Sequence, residues 1–172
     1  MKKQLLSIFA CTIFISLNAQ RLPCSDPAYR QFDFWLGQWE AFAKNGNKAG
    51  DSKISLILDS CIILEEWVST SVNKGFRYAG KSFNTYNTAT KQWQQTWVDN
   101  AGGTIEYLNG RYENDKVIFN TKPFIFSKDS LAIRQLTFYN LGPDKVRQHG
   151  EISKDNGHSW VTEYDLEYRR KK

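Results

Sequence analysis

From Phe32 to Arg169 the chain is a run of short strand-like segments separated by turn residues, and no stretch of about 12 residues carries a 3.6-residue apolar period. The segments are Phe32 to Lys44, Ile54 to Leu58, Ile62 to Ser71, Phe76 to Tyr86 and Gln92 to Asp99. Thr104 to Tyr112, Lys116 to Phe126, Leu131 to Tyr139, Val146 to Ser153 and Trp160 to Arg169 complete the series. Ile54, Leu56 and Leu58 alternate with Lys53, Ser55 and Ile57, the pattern of a half-buried strand. The breaks between segments have hairpin chemistry: Asn45-Gly46-Asn47, Asn100-Ala101-Gly102-Gly103, Glu113-Asn114-Asp115, Gly142-Pro143-Asp144 and Asp155-Asn156-Gly157.

Connections this short force antiparallel neighbours. A long meander disposes of its exposed edges by closing on itself, whereas a Greek-key sandwich needs long crossovers that this sequence does not supply. The expected fold is therefore all-β: a closed antiparallel up-and-down β-barrel of about ten strands. The expected domains are a signal peptide at 1–19, an N-terminal segment at 20–31 and a single barrel at 32–170.

The signal-peptide expectation rests on Lys2 and Lys3, the apolar run from Leu5 to Leu17, and small Ala19 at a cleavage point. The run is shorter than the roughly 20 residues of a membrane-spanning helix, so no membrane span is expected. Export to the periplasm or the extracellular medium would remove Cys11 and leave Cys24 and Cys61, whose even count in an oxidising compartment favours a disulfide over two free thiols. Cleavage takes two of the 23 basic residues and none of the 18 acidic ones. The resulting charge is too mild to point to nucleic acid. The basic cluster Arg169-Arg170-Lys171-Lys172 reads as a solvated tail.

Few motifs point to chemistry. Gly75 through Ser82 fits G-x-x-x-x-G-K-[ST] in letters, but a phosphate loop must open a helix, and Phe83-Asn84-Thr85-Tyr86 continues as strand. Ser153 through Trp160 has the S-x-D-x-G-x-S-W form and is similar to the Asp-box of sialidase-type propellers. A propeller needs several copies, so Asp155 reads as a hairpin residue that bonds turn amides, not as a catalytic one. His149 and His158 are the only histidines and do not have metal-site spacing. His158 sits at a hairpin tip; His149 sits in a strand, where it is either a hydrogen-bonded side chain or a lumenal ligand to haem. There is no G-x-S-x-G elbow. Glu65, Glu66, Asp99 and Glu151 are candidate carboxylates that sequence alone does not bring together.

The aromatic content is more informative. Trp93, Gln95, Trp97 and Asp99 fall on one strand face by period two. Tryptophan mixed with Gln and Asp suits a lumen that holds an amphipathic molecule; filled by its own side chains, the same face would plug the barrel. The candidate ligand-binding residues are Glu65, Trp67, Trp93, Gln95, Trp97, Asp99 and His149.

Phe32-Asp33-Phe34-Trp35-Leu36-Gly37-Gln38-Trp39 resembles the bacterial uncharacterised family called domain of unknown function 1579. So do Cys61 through Trp67, Tyr86 through Trp93, Gln95 through Asp99, Ser153 through Trp160 and Tyr168-Arg169-Arg170. The resemblance runs over essentially the whole chain after the signal peptide and implies a calycin-like barrel without an agreed activity. Gly37-x-Trp39 is similar to the first-strand G-x-W of lipocalins. That likeness implies a glycine turning into strand one and a tryptophan closing one barrel end beneath a late-strand arginine, here Arg134, Arg147 or Arg169. Nitrobindin-like haem barrels are a more distant likeness, whose proximal histidine would correspond to His149.

The expected function is binding of a small apolar or amphipathic molecule in the lumen. The alternatives are an enzyme using a lumenal acid such as Glu65, Asp99 or Glu151, and a filled barrel serving as a structural or interaction domain.

Overall fold

Each hairpin break in the sequence falls at a connection between strands, and the segments between them pair in chain order. The computed structural model describes residues 23–172 apart from Asp129; the expected signal peptide and Cys11 lie outside the described residues. Two short 3-10 turns, Pro27–Arg30 and Asp33–Trp35, precede the strands. The strands are β1 (Gly37–Ala43), β2 (Lys48–Ile57), β3 (Ile62–Asn73), β4 (Phe76–Asn87), β5 (Gln92–Asp99), β6 (Thr104–Glu113), β7 (Lys116–Asn120), β8 (Phe124–Ser127), β9 (Ser130–Asn140), β10 (Lys145–Ser153) and β11 (Val161–Arg170).

All pairings are antiparallel. β11 returns to β1 with Tyr168 opposite Ala41, and β9 pairs with both β7 and β10. The result is a closed barrel of ten strands with β8 as one extra strand. Closure satisfies the backbone groups that an open meander would leave at its two edges. Two-residue turns join several neighbours. Lys74 and Gly75, and likewise Asn114 and Asp115, all have positive φ, the conformation that matches the twist of a tight hairpin.

Two segments differ in detail from the sequence expectation. Lys116 to Phe126 is divided at Thr121–Pro123, because Pro123 has no amide for the ladder. Thr121 partly replaces the ladder there: its amide donates to the Arg134 carbonyl at 2.9 Å, and its hydroxyl accepts from the Arg134 amide at 2.9 Å. Leu58 leaves the alternation of β2 and enters a turn, with φ of 49° and its side chain exposed.

Inward positions follow period two, and the core gathers at one end of the barrel. The segment before β1 crosses that end and buries Phe32 and Trp35 completely, together with Trp39, Phe119, Phe138 and Val146. Phe32 stacks on Trp35 with centroids 5.1 Å apart and meets Phe138 edge-on at 4.9 Å. Trp39 donates its indole N–H to the Trp35 carbonyl at 2.8 Å, so its polar atom is satisfied inside the apolar cluster.

The crossing segment is held from both sides. Cys24 is bridged to Cys61 in the β2–β3 turn, and the Arg30 guanidinium donates to the Ser60 carbonyl of the same turn. Opposite, Trp93 donates to Gln31 Oε1 at 3.1 Å.

The arginine over Trp39 is Arg170, at 4.2 Å from the ring centroid, which corrects the choice among Arg134, Arg147 and Arg169. Arg170 also donates to the Leu36 carbonyl at 3.1 Å and to the Pro143 carbonyl at 2.7 Å. Gly37 makes this possible. Its φ is 128°, and a Cβ there would lie 2.2 Å from an Arg170 nitrogen. Arg169, one residue earlier, faces outward over Phe42; Arg147 pairs outside the barrel with Asp165.

Candidate functional site

The half of the lumen away from the crossing segment is open, with a cavity of about 580 Å³. Its walls come from alternate residues of most strands: Glu65, Trp67 and Ser69 of β3, Tyr78 of β4, Gln95 and Trp97 of β5, and Ile105 and Tyr107 of β6. Arg134 of β9, Gln148 of β10, and Tyr164, Leu166 and Tyr168 of β11 continue the ring.

The rings can lie against the wall because the strands beside them carry glycine. A Cβ on Gly50 would come within 2.5 Å of the Trp67 ring, and one on Gly80 within 2.2 Å of the Trp97 ring. Glycine inside a strand marks close approach by another group. Here it gives the two indoles room to approach the neighbouring strands closely.

A polar floor separates this cavity from the closed end. Glu65 is 2% exposed. Its carboxylate accepts from Ser52 Oγ at 2.9 Å, Ser82 Oγ at 3.0 Å and, more weakly, Tyr168 Oη at 3.4 Å. Tyr168 makes its stronger bond to Gln148 Oε1, at 2.7 Å. Asn84 donates to Ser82 Oγ at 3.1 Å and accepts from Gln95 Nε2 at 2.7 Å. The floor is thus one connected network drawn from β2, β3, β4, β5, β10 and β11.

Burial dominates its electrostatics. Desolvation pushes the Glu65 carboxyl up to about 7, against the hydroxyl donors that favour the ionised form. Burial raises Tyr168 and Tyr164 well above the usual phenol range, Tyr168 further through the neighbouring Glu65 charge. Tyr107 is pushed up to about 12 by the same desolvation. Higher on the wall, Arg134 pairs bidentately with Glu163 at 2.7 and 3.0 Å and lies over the Phe124 ring.

The sequence candidates are distributed unevenly around this cavity. Glu65, Trp67, Gln95 and Trp97 line it together. Trp93 shares their face but lies in the closed-end core, in contact with Phe32 and Tyr86. From Trp93 to Asp99 the strand climbs about 20 Å, so period two gives a common face but not a common depth. Asp99 sits at the rim, where its carboxylate accepts from the amides of Ala101 and Gly103, from Tyr78 Oη and from the Trp97 indole. Those donors, led by Gly103, hold it below the usual carboxylate range.

His149 requires a correction as a lumenal candidate. Gln148 points inward, so its neighbour His149 points out, where its Nε2 meets Thr162 Oγ1 at 3.0 Å and its Nδ1 approaches Glu151 at 3.5 Å. Haem in the lumen therefore has no ligand in His149, and Glu151 is likewise outside. Glu66 faces out to Lys81 at 2.8 Å, so neither it nor Glu151 forms a lumenal pair with Glu65.

The Asp-box segment is the expected hairpin device: Asp155 accepts from the Ser159 amide and hydroxyl, and Gly157 has φ of 89°. The phosphate-loop lookalike is a turn running into β4, with no helix after it.

Sequence reasoning missed Tyr107, Arg134, Gln148, Glu163, Tyr164 and Tyr168, and the buried trio Ser52, Ser82 and Asn84. Two signals were available. Tyr164, Leu166 and Tyr168 alternate along the last strand, and Gly50 and Gly80 interrupt strands on the faces that carry Ser52 and Ser82. No family model matches this chain, and no curated protein matches it significantly.

Proposed function

We propose that this chain is an exported, calycin-like barrel of the domain of unknown function 1579 kind that binds a small amphipathic molecule in its open half. The observation that carries the reading is the cavity: apolar and aromatic walls over a connected polar floor, large enough for a small molecule. An apolar body would pack on Trp67, Trp97, Ile105 and Leu166, and a polar end would meet Glu65, Gln95 and Gln148.

The cavity argues against a barrel filled by its own side chains. An enzyme reading has less support, because the other carboxylate among the described lining residues, Glu163, is held by Arg134. Export is supported by the Cys24–Cys61 bridge, which persists in oxidising compartments. Among the described residues no helix is long and apolar enough to cross a membrane.

The test is untargeted mass spectrometry of solvent extracts from protein purified without denaturation, alongside N-terminal sequencing of the exported fraction. Binding predicts an enriched small molecule that is absent from a Ile105→Trp variant, whose added ring occupies the lumen. Export predicts a chain beginning at Gln20. Equal extracts from both proteins would remove the binding reading; an intact N-terminus in every fraction would remove export.

A further inference from the structure

We propose that the lumen selects a small organic cation with an apolar body, its charged nitrogen seated at the Glu65 carboxylate beside the Trp67 and Tyr168 rings. This rests on the binding function proposed above and specifies the ligand's charge. The first observation is that Glu65 is deeply buried, lines the cavity and has only neutral partners: the Ser52, Ser82 and Tyr168 hydroxyls. A buried carboxylate is ordinarily matched by a cation, since desolvation of an unpaired charge is costly. Glu65 has a cavity where that cation would be.

The second observation is the charge of the wall. Among the described lining residues, the charged groups are Glu65, Glu163 and Arg134. Arg134 is engaged by both oxygens of Glu163 and by the Phe124 ring, which leaves it poorly placed to attract an anion. The excess charge facing a ligand is therefore negative, and it lies at the floor.

The third observation is aromatic. Trp67 and Tyr168 form a tilted ring pair with centroids 6.3 Å apart, Tyr168 reaching Glu65 through its hydroxyl, and Tyr78, Trp97, Tyr107 and Tyr164 also line the cavity. Aromatic faces attract cations, most strongly when both are withdrawn from water. An alkylammonium could thus meet a carboxylate and ring faces at the floor while its apolar body rises between the indoles.

The experiment is calorimetric titration with three probes of one shape: phenylbutylamine, phenylbutanol and phenylbutyrate. At about pH 8 the amine is cationic and Glu65 is largely ionised, so the amine should bind about tenfold or more tighter than the alcohol, and the carboxylate weakest. Glu65→Gln keeps the shape of the floor and should bring the three affinities together. If the alcohol binds wild-type protein as tightly as the amine, the cation preference is overturned while the binding function stands. An amine preference that persists in Glu65→Gln overturns the assignment to Glu65. If none of the three binds and no molecule co-purifies, this inference and the binding function both fail. Should Glu65→Gln not fold, the ranking on wild-type protein decides.

Discussion

The two ends of this barrel use the same residue type to opposite effect. At the closed end Trp35, Trp39 and Trp93 are completely or almost completely buried in a dry aromatic cluster. At the open end Trp67 and Trp97 line a cavity. The strands do not distinguish the two sets, because Trp93 and Trp97 lie on one face of β5. The difference comes from what each tryptophan faces. The closed end is crossed by the 27–36 segment, pinned by Cys24–Cys61 and roofed by Arg170, so its tryptophans have packing partners across the barrel. Gly50 and Gly80 hold Trp67 and Trp97 against the wall. A tryptophan becomes a plug or a wall panel according to the chain opposite it.

The largest expected effect separates the ends directly. Trp39→Ala should lose about 3–5 kcal/mol of stability in urea unfolding, the usual cost of emptying a buried aromatic site. Trp97→Ala, at the cavity, should lose no more than about 1–2 kcal/mol, because one side of the ring has few packing partners to lose. Equal losses would erase the distinction. Next comes the bridge. Replacing Cys24 and Cys61 by serine should cost about 3–4 kcal/mol, because the unfolded loop gains freedom. Amide exchange should then rise first in the 27–36 segment; a uniform rise would mean that the bridge does not specifically hold the cap.

Much of the fold was legible in the sequence because a meander is written locally, in alternation and in turn residues such as Asn114-Asp115 and Asp155-Asn156-Gly157. The site was only partly legible. Period two put Glu65, Trp67, Gln95 and Trp97 on inward faces, but depth depends on strand tilt and register, which brought Gln95 to the floor and left Trp93 in the plug. His149 failed for a simpler reason: without the pairing of β10 and β11, its alternation had no anchor, and Gln148 holds the inward position. The arginine over Trp39 was missed by one residue, because Arg169 and Arg170 alternate between faces and only the register of β11 on β1 tells them apart.

The floor between the two halves yields an effect of opposite sign. Glu65 titrates at about 7 in the folded protein against an ordinary 4.5. Its folded value is raised, so the protonated form is favoured by folding. Stability is complete below about pH 4.5 and falls as pH rises to about 7, with no further loss from this group above that. Glu65→Gln should therefore match wild type near pH 4 and exceed it by about 3 kcal/mol near pH 8. A constant difference across that range would mean that the carboxyl does not titrate with folding. The smallest stability effect is expected for Gln95→Leu. Losing its bond to Asn84 should cost about 1 kcal/mol, while retention of a lumenal molecule should drop more sharply. A loss of stability with unchanged retention would assign Gln95 to the dry half.

The contrast between the ends is best tested by the indole N–H signals of the six tryptophans in a heteronuclear NMR spectrum, followed during titration with phenylbutanol. The Trp67 and Trp97 signals should move together and saturate. Those of Trp35, Trp39 and Trp93 should stay in place, and the Trp39 indole should exchange slowly with heavy water. Shifts centred on Trp39 and Trp93, or no saturable shift at Trp67 and Trp97, would contradict an open lumen above a dry plug.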